Sequence, residues 1–431
     1  MSGSKQPVWL IVAVALGLAV VAFLALRPQP SLLPSPASTR PAAVPQVVPL
    51  AVKPTPAVIA PASVPAVFGP QLLASTSGPE DWAMEGNNPS RTRSTLAQLA
   101  LPLSQQSEVK LTADTGDGSP PTIARGTMLV ESEHLLRAFD LRDDSQRWSF
   151  PLRGIYVSPA VAGKYVFIRS ESGNNGQMLA LDIDSGKTLW AFTPKRLSSA
   201  SNGYFGGHLT SPVVVDGTVF VGAGKEVYAL DAATGAVRWE FAAKEYISSS
   251  ATVADGRIYI SDFDTFYAID QKTGAQLWSH PTTMTFYFAP VIGGQTVLLS
   301  SGAQLVALDT VSGRQRWTTS MPGEDVIPSA VQGSRVFVKS TSTLYALDLA
   351  SGKQLWQVHD LNYISLPAVA GDQVFVISGS GVSTSLLALD AGTGHSTWTL
   401  PVKSLATTAP VIAGQSLYVR TTDGRVLGFW H

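Results

Sequence analysis

Cysteine is absent from the 431 residues, which excludes disulfides, thiolate metal sites, cysteine nucleophiles and lipid attachment through an N-terminal cysteine. Charge is scarce. Asp, Glu, Lys and Arg together make up 14% of the chain, against roughly a quarter in an average soluble domain. The charge present is balanced, 30 basic against 31 acidic residues, which argues against a nucleic-acid binder carrying a clustered basic excess. Histidine is limited to six positions, 134, 208, 280, 359, 395 and 431, and no two have the spacing of a metal-ligating pair. Apolar residues reach 45%, enough core for one large all-β body or about two or three ordinary domains.

Residues 8–26 read VWLIVAVALGLAVVAFLAL, nineteen residues without a charge. About twenty apolar residues cross a hydrocarbon core of about 30 Å, whereas the apolar core of a cleaved signal peptide is shorter, roughly 7 to 15 residues. Phe23, two places before Ala25, also makes a poor small-x-small cleavage site. The expectation is a short tail over 1–7 and a transmembrane signal anchor over 8–26, with a cleaved signal or a buried helix as the alternative. The default orientation puts the N-terminus inside and the bulk of the chain outside, although Lys5 before the span and Arg27 after it leave the positive-inside signal weak. Residues 27–77 then hold twelve of the 29 prolines among Ala, Val and Ser. Proline fixes φ and removes donors, so this stretch is expected to stay unfolded, as a spacer or as plain disorder. At about 3.1 Å per residue it could hold a domain on the order of 100 Å from the membrane.

From residue 78 to 431 a repeat dominates. Asp, Gly four residues on and Trp eight residues on recur at Asp182/Gly186/Trp190, Asp231/Gly235/Trp239, Asp270/Gly274/Trp278, Asp309/Gly313/Trp317, Asp348/Gly352/Trp356 and Asp390/Gly394/Trp398. Asp140/Asp144/Trp148 is a seventh instance without the glycine. An alternating run such as Val227-Tyr228-Ala229-Leu230 precedes each Asp and has strand period. Asp closes the turn through its side chain, and the glycine suits the left-handed position that ends a type I turn with a bulge. Asp144 can take that position, because Asp enters the left-handed region more readily than most residues.

A second strand-turn-strand unit alternates with the first. A Pro or small residue is followed seven residues later by an apolar one, in the pairs Pro121/Met128, Pro159/Val166, Pro212/Val219, Ala251/Ile258, Pro290/Val297, Ser329/Val336, Pro367/Val374 and Pro410/Leu417. Eight such units face seven Asp–Trp hairpins, so the last unit is one strand short. Counting back twelve residues from Pro121 reaches Val109, within the alternating run Glu108-Val109-Lys110-Leu111, which is expected to supply the missing strand. Ser119 to Trp430 spans 312 residues, or 39 for each of eight units. Four strands per unit, closed between the chain's two ends, predict an all-β, eight-bladed β-propeller.

The hairpin Leu230-Asp231-Ala232-Ala233-Thr234-Gly235, followed by Trp239, resembles the pyrroloquinoline-quinone-type repeat. Asp81-Trp82-Ala83-Met84-Glu85-Gly86-Asn87-Asn88-Pro89-Ser90-Arg91-Thr92 resembles the segment that leads into such propellers. The resemblance covers residues 78–431. It implies that Trp148, Trp190, Trp239, Trp278, Trp317, Trp356 and Trp398 stack between neighbouring blades against the glycine-bearing turns. In the dehydrogenase branch of the family it would imply a funnel holding the quinone, a calcium ion and a vicinal disulfide. With no cysteine and only short extra loops, this sequence is instead similar to the non-enzymatic, BamB-like branch. No catalytic group, cofactor site or metal site is expected.

The loops before the Pro-type positions converge on one rim of a propeller's channel. They carry the candidate partner-binding residues Tyr156, Tyr246, Tyr287 and Tyr363, and the longest insertion, 197–210, adds Tyr204, Phe205 and His208. Tyrosine offers large area, few rotors and a polar tip, so it recurs at interfaces; the competing reading is that these rings plug the channel as core. Two close carboxylate pairs, Asp114/Asp117 and Asp262/Asp264, lack the full ligand set of a calcium loop and read as turn caps. The sequence therefore predicts a membrane-anchored, extracytoplasmic and periplasmic, monomeric propeller that binds protein partners through its rim and catalyses nothing. A quinone-binding oxidoreductase or sensor, and a binder of wall glycans, are the alternatives.

Overall fold

The computed structural model describes residues 81–111, 118–152, 157–172, 175–194, 210–282, 288–321 and 325–431. The apolar span 8–26 and the proline-rich stretch 27–77 lie outside them. Among the described residues no helix is long and apolar enough to cross a membrane. These residues form 33 strands in eight sheets, seven of four strands and one of five. Blades 1 to 7 run over 122–151, 160–192, 213–242, 252–281, 291–320, 327–358 and 368–401. Blade 8 takes 411–430 and closes with Ser104–Lys110 from the N-terminal side, antiparallel to Arg425–Trp430. The architecture is an eight-bladed propeller closed by the chain's two ends.

Blade 3 shows why the repeat folds this way. Its second strand, Thr218–Ala223, is buried along its whole length, because blades cover both of its faces. Its outermost strand, Val237–Ala242, alternates exposed and half-buried positions. Across the sheet a large, a small and a large residue stand in register, Phe220 opposite Ala229 and Ala229 opposite Trp239. The small alanine lets the two rings approach to 5.8 Å between centroids, within the range of favourable aromatic pairing. The same row recurs as Phe167/Ala180/Trp190, Tyr259/Ala268/Trp278 and Phe337/Ala346/Trp356.

Each Asp turn is closed by its own side chain. Asp231 Oδ1 accepts from the Thr234 amide at 2.9 Å and the Thr234 hydroxyl at 2.8 Å, and the Gly235 amide donates to Asp231 O at 2.8 Å with Gly235 at φ 73. The indole of the preceding blade lies on this turn. Trp190 Nε1 donates to Ala232 O at 3.0 Å, and a Cβ added at Gly235 would meet the Trp190 ring at 2.7 Å. Equivalent contacts join Trp148 to the Gly186 turn, Trp239 to Gly274, Trp278 to Gly313, Trp317 to Gly352 and Trp356 to Gly394.

The seam between blades 8 and 1 is built differently. Opposite Gly428, where the other blades place Trp opposite Ala, stands Ser107. That is two residues before Val109, the position that the spacing from Pro121 indicates, because the connection into blade 1 is longer than every other inter-blade connection except the one from blade 2 to blade 3, which carries the 197–210 insertion. Ser107 Oγ donates to Asp144 Oδ2 at 2.7 Å, and Asp144 holds the left-handed turn at φ 59. A hydroxyl–carboxylate bond thus stands where six other junctions use an indole on a glycine. Trp398 meets no such turn, since blade 8 has no hairpin there, and it packs half-buried against the cluster that includes Leu405, Val411 and Phe429.

The glycine contact can be separated from backbone strain. Gly256 and Gly274 both sit at φ 73, but an added Cβ meets nothing within 4 Å at Gly256 and the Trp239 ring at 2.7 Å at Gly274. Both Gly→Ala changes carry the left-handed penalty of about 1 kcal/mol. Gly274→Ala is expected to cost about 1–3 kcal/mol more than Gly256→Ala through overpacking, and denaturant unfolding of the two variants measures the difference.

Candidate functional site

The chain does not leave its channel open. The innermost strand of each blade is an edge strand, and its middle amide points to the axis with no neighbouring strand to accept it. Residues 81–95 run around the axis and supply the acceptors. Ile123 and Trp82 exchange backbone bonds at 3.0 and 2.7 Å, and Val161 donates to Ala83 O at 2.8 Å. Val253 then donates to Pro89 O, Ile292 to Ser90 O, Val331 to Thr92 O and Val369 to Arg93 O, at 2.9 to 3.1 Å. Ser94–Thr95 ends the circuit as a short parallel strand on blade 7. Blades 1, 2, 4, 5, 6 and 7 are therefore tied to one peptide.

Of the four charged residues on this lead-in, Glu85, Arg91 and Arg93 come together. Arg91, almost fully buried, donates from Nε to Ala251 O at 2.8 Å, from Nη1 to Glu85 Oε2 at 2.8 Å, and from Nη2 to Ser211 O at 3.5 Å. It thereby reaches blades 3 and 4. Burial would raise the Glu85 carboxyl, but Arg91 and Arg93 beside it outweigh that and hold it below the ordinary range. Gly86 is required at φ 76, where an added Cβ would lie 2.8 Å from Arg91 Cα.

The loops leading into the innermost strands and the turns between second and third strands form the upper face; the Asp turns form the lower one. Tyr363 lies on the upper face and is 62% exposed. Its loop has two left-handed non-glycine residues, Asp360 at φ 61 and Tyr363 at φ 47. Such backbone persists only where its surroundings fix it. Here Leu361 N donates to Ser342 O, Gly379 N to Asn362 O, and Lys339 Nζ to Ile364 O at 2.6 Å. Burial lowers the Lys339 pKa.

Tyr246 is half-buried, with Lys225 Nζ 5.3 Å from its ring centroid. Tyr156, Tyr204, Phe205, His208 and Tyr287 lie outside the described residues, as do Asp114 and Asp117. The same face exposes Phe288 at 40%, Phe263 at 37% and Val382 at 71%. A shallow cleft of about 10 Å³ lies beside Phe288, lined also by Pro290, Leu299 and Pro328. The spacing argument passes over Phe263 and Val382. Both sit in the turns between second and third strands, and a large apolar residue in a tight polar turn is the signal that finds them.

Asp262 and Asp264 do not make a cation site together. Asp262 is fully buried and accepts from the amides of Asp264, Thr265 and Glu245 at 2.7 to 2.9 Å and from the Tyr267 hydroxyl at 2.7 Å. Its oxygens cap a turn and anchor the Tyr246 loop. No group of three or more potential metal ligands occurs among the described residues.

One buried acid stands at the seam between blades 1 and 8. Glu131 is 1% exposed, accepts from Ser119 Oγ at 3.3 Å, and has its carboxyl pushed up to about 8 by burial, against the opposing pull of the Ser119 bond and Arg420. The folded state therefore holds a proton that the unfolded chain releases near 4.5. Stability from this group is complete below the ordinary glutamate range and is lost as pH rises towards about 8 and through it. The unfolding free energy from urea titrations should fall across that window, by an amount on the order of a few kcal/mol. Glu131→Gln should flatten the profile; an unchanged slope would place the titration elsewhere.

Comparison with known proteins follows the same architecture. The family model described as outer membrane protein assembly factor BamB matches residues 73–203, 179–289, 286–381 and 340–430. The solved BamB of Moraxella catarrhalis is similar at 18% identity and a TM-score of 0.58, over 77% of this chain and 100% of that one. The quinohemoprotein alcohol dehydrogenase ADHIIG of Pseudomonas putida HK5 is similar at 15% identity and a TM-score of 0.65, over 86% of this chain and 83% of that one. At these identities the likeness is one of fold. A stretch of 140 residues is 31% identical to the serine/threonine-protein kinase AfsK of Streptomyces griseus, covering 30% of this chain and 16% of the kinase.

Proposed function

This chain belongs to the BamB-type family of pyrroloquinoline-quinone-type repeat propellers, and from that premise we propose that it is a non-catalytic, membrane-anchored, extracytoplasmic scaffold that binds protein partners through its upper face. The observation that carries the reading is the contrast between a channel filled by the chain's own lead-in and a neighbouring face that exposes Tyr363, Phe288 and Phe263. Aromatic side chains held on rigid loops bring large contact area at little entropy cost, which suits an interface. The closed sheet edges of the channel and the fixed Tyr363 loop provide that rigidity.

The quinone carried by the dehydrogenase branch is a poor fit to the described residues. The innermost amides of six blades are already bonded to the lead-in. The clefts beside Phe288 and beside the lead-in each have a volume of about 10 Å³, room for about one water and far short of an organic-ligand pocket. The anchor over residues 8–26 and the spacer over 27–77 belong to the same proposal, since both suit a domain held at a distance from a membrane. The partner reading rests on the geometry of the face and on family membership.

A photo-crosslinking residue placed at Tyr363 or Phe288 in intact cells is expected to give a discrete protein adduct. The same probe at Lys272, on a lower-face turn, is expected to give none. Absence of a protein adduct from both upper-face positions would contradict the scaffold reading.

A further inference from the structure

One register position on the second strands sends long cations across the blade junctions. Three residues beyond Leu417, Val166 and Val336 stand Arg420, Arg169 and Lys339. Each of them crosses to the next blade and donates to a main-chain carbonyl there. Arg420 Nη1 reaches Glu131 O at 2.9 Å, and Arg169 Nη1 reaches Gly222 O at 2.8 Å. Both acceptors lie inside second strands, Thr127–Ser132 and Thr218–Ala223, which the sheets already hold. Lys339 differs in its target. Its Nζ donates at 2.6 Å to Ile364 O, in the loop that leads into blade 7.

That loop presents Tyr363 to solvent, while Leu361 and Ile364 beside it are buried. Asp360 and Tyr363 hold left-handed backbone at φ 61 and φ 47, which a non-glycine residue keeps only under constraint. The constraints come from two blades. From blade 6, Ser342 O accepts from the Leu361 amide at 2.9 Å, Thr341 O accepts from the Ile364 amide at 3.3 Å, and Lys339 fixes Ile364 O. From blade 7, the Gly379 amide donates to Asn362 O at 2.6 Å. Gly379 belongs to the hairpin whose tip exposes Val382. Of these ties the Lys339 bond is the one that carries a charge, and a charge-assisted bond is roughly twice as strong as a neutral one. Burial lowers the Lys339 pKa, as it must for an ammonium drawn out of water, where each bond counts for more.

We propose that Lys339 is a positioning residue for partner binding: from blade 6 it fixes the Tyr363 loop of blade 7, so that Tyr363 and Val382 meet a partner already in place. This inference rests on the partner-binding reading of the upper face and adds the residue that prepares it. A ring on a fixed loop brings contact area without the ordering cost of a loose one. Lys339 acts through the loop and touches no partner itself. Arg169 and Arg420 show that a guanidinium at this register makes the same kind of bond, so the role requires a long donor and not lysine in particular.

Two measurements on the full-length protein separate the positioning from the partner reading. In the purified protein, Lys339→Met keeps the stem and loses the donor. It should speed exchange of the Leu361, Ile364 and Gly379 amides about tenfold and leave Val253 and Ile292, in blades 4 and 5, unchanged. In intact cells, with the photo-crosslinking residue at Tyr363, the same change should cut the protein adduct about tenfold and leave the adduct from Phe288 unchanged. A merely structural role would lower stability throughout and move both probes and all five amides together. Lys339→Arg should restore the exchange rates and the adduct. If Lys339→Met does not fold, Lys339→Gln, whose shorter side chain falls short of Ile364 O, takes its place. Unchanged exchange at the three loop amides would overturn the positioning role whether or not an adduct forms. Faster exchange with an undiminished adduct from Tyr363 would overturn the link to binding. Absence of any adduct from both probes in the chain that keeps Lys339 would contradict the partner reading itself, and the exchange rates would still decide whether Lys339 holds the loop.

Discussion

A propeller has one structural debt at its centre. Every blade ends inwardly in an edge strand whose amides point at the axis, and buried amides must find acceptors. Here one peptide, residues 81–95, meets that demand for six blades by circling the channel and presenting a carbonyl to each in turn. The bonds are spread along the peptide in blade order, so the lead-in fixes blade positions as well as filling space. Arg91 extends the ring to blades 3 and 4 through the carbonyls of Ser211 and Ala251. With the axis closed in this way, the upper-face loops become the accessible surface on which recognition can be built.

The periphery uses a different device. A large–small–large row on each sheet turns an indole outward onto the next blade, where glycine leaves room for the ring and a backbone carbonyl accepts the indole N–H. The contact is apolar, directional and repeated, so each junction stabilises its neighbours in the manner of a linear repeat array bent into a circle. The exceptions fall at the ends of the chain. Ser107 and Asp144 replace the indole and the glycine between blades 8 and 1, and Trp398 packs against blade 8 without a turn to lie on. The seam therefore depends on strand pairing between Ser104–Lys110 and Arg425–Trp430, on polar bonds, and on the buried Glu131 with its raised proton affinity.

The blade count and the closure by an N-terminal strand were legible from the sequence, because an Asp-Gly-Trp spacing repeated at nearly constant period reports one hairpin many times over. Ser107 was not legible as the counterpart of the tryptophans. Its strand carries no Trp, and counting from Pro121 assumes a connection of the usual length. The similarity of Asp81–Thr92 to a propeller lead-in was visible, but its course was not, since its contacts reach innermost strands from blade 1 to blade 7 across most of the chain. For the same reason Arg91, Arg93 and Glu85 pass unnoticed in sequence, where an Arg-x-Arg on a polar segment reads as solvated surface. Of the upper-face candidates, Tyr363 stands exposed and Tyr246 is half-covered by Lys225. Phe263 hides in a turn whose flanking carboxylates draw attention to themselves, and only the folded turn shows Asp262 buried and the ring outside.

Residue-resolved amide hydrogen exchange on the full-length protein tests the central claim most directly. If the lead-in closes the axis by backbone bonding, the amides of Ile123, Val161, Val253, Ile292, Val331 and Val369 should be protected to near the free energy of global unfolding. The matching amides of Val214 and Ile412, to which no lead-in carbonyl is bonded among the described residues, should exchange faster. Exchange of the six at the same rate as Val214 and Ile412 would contradict the account.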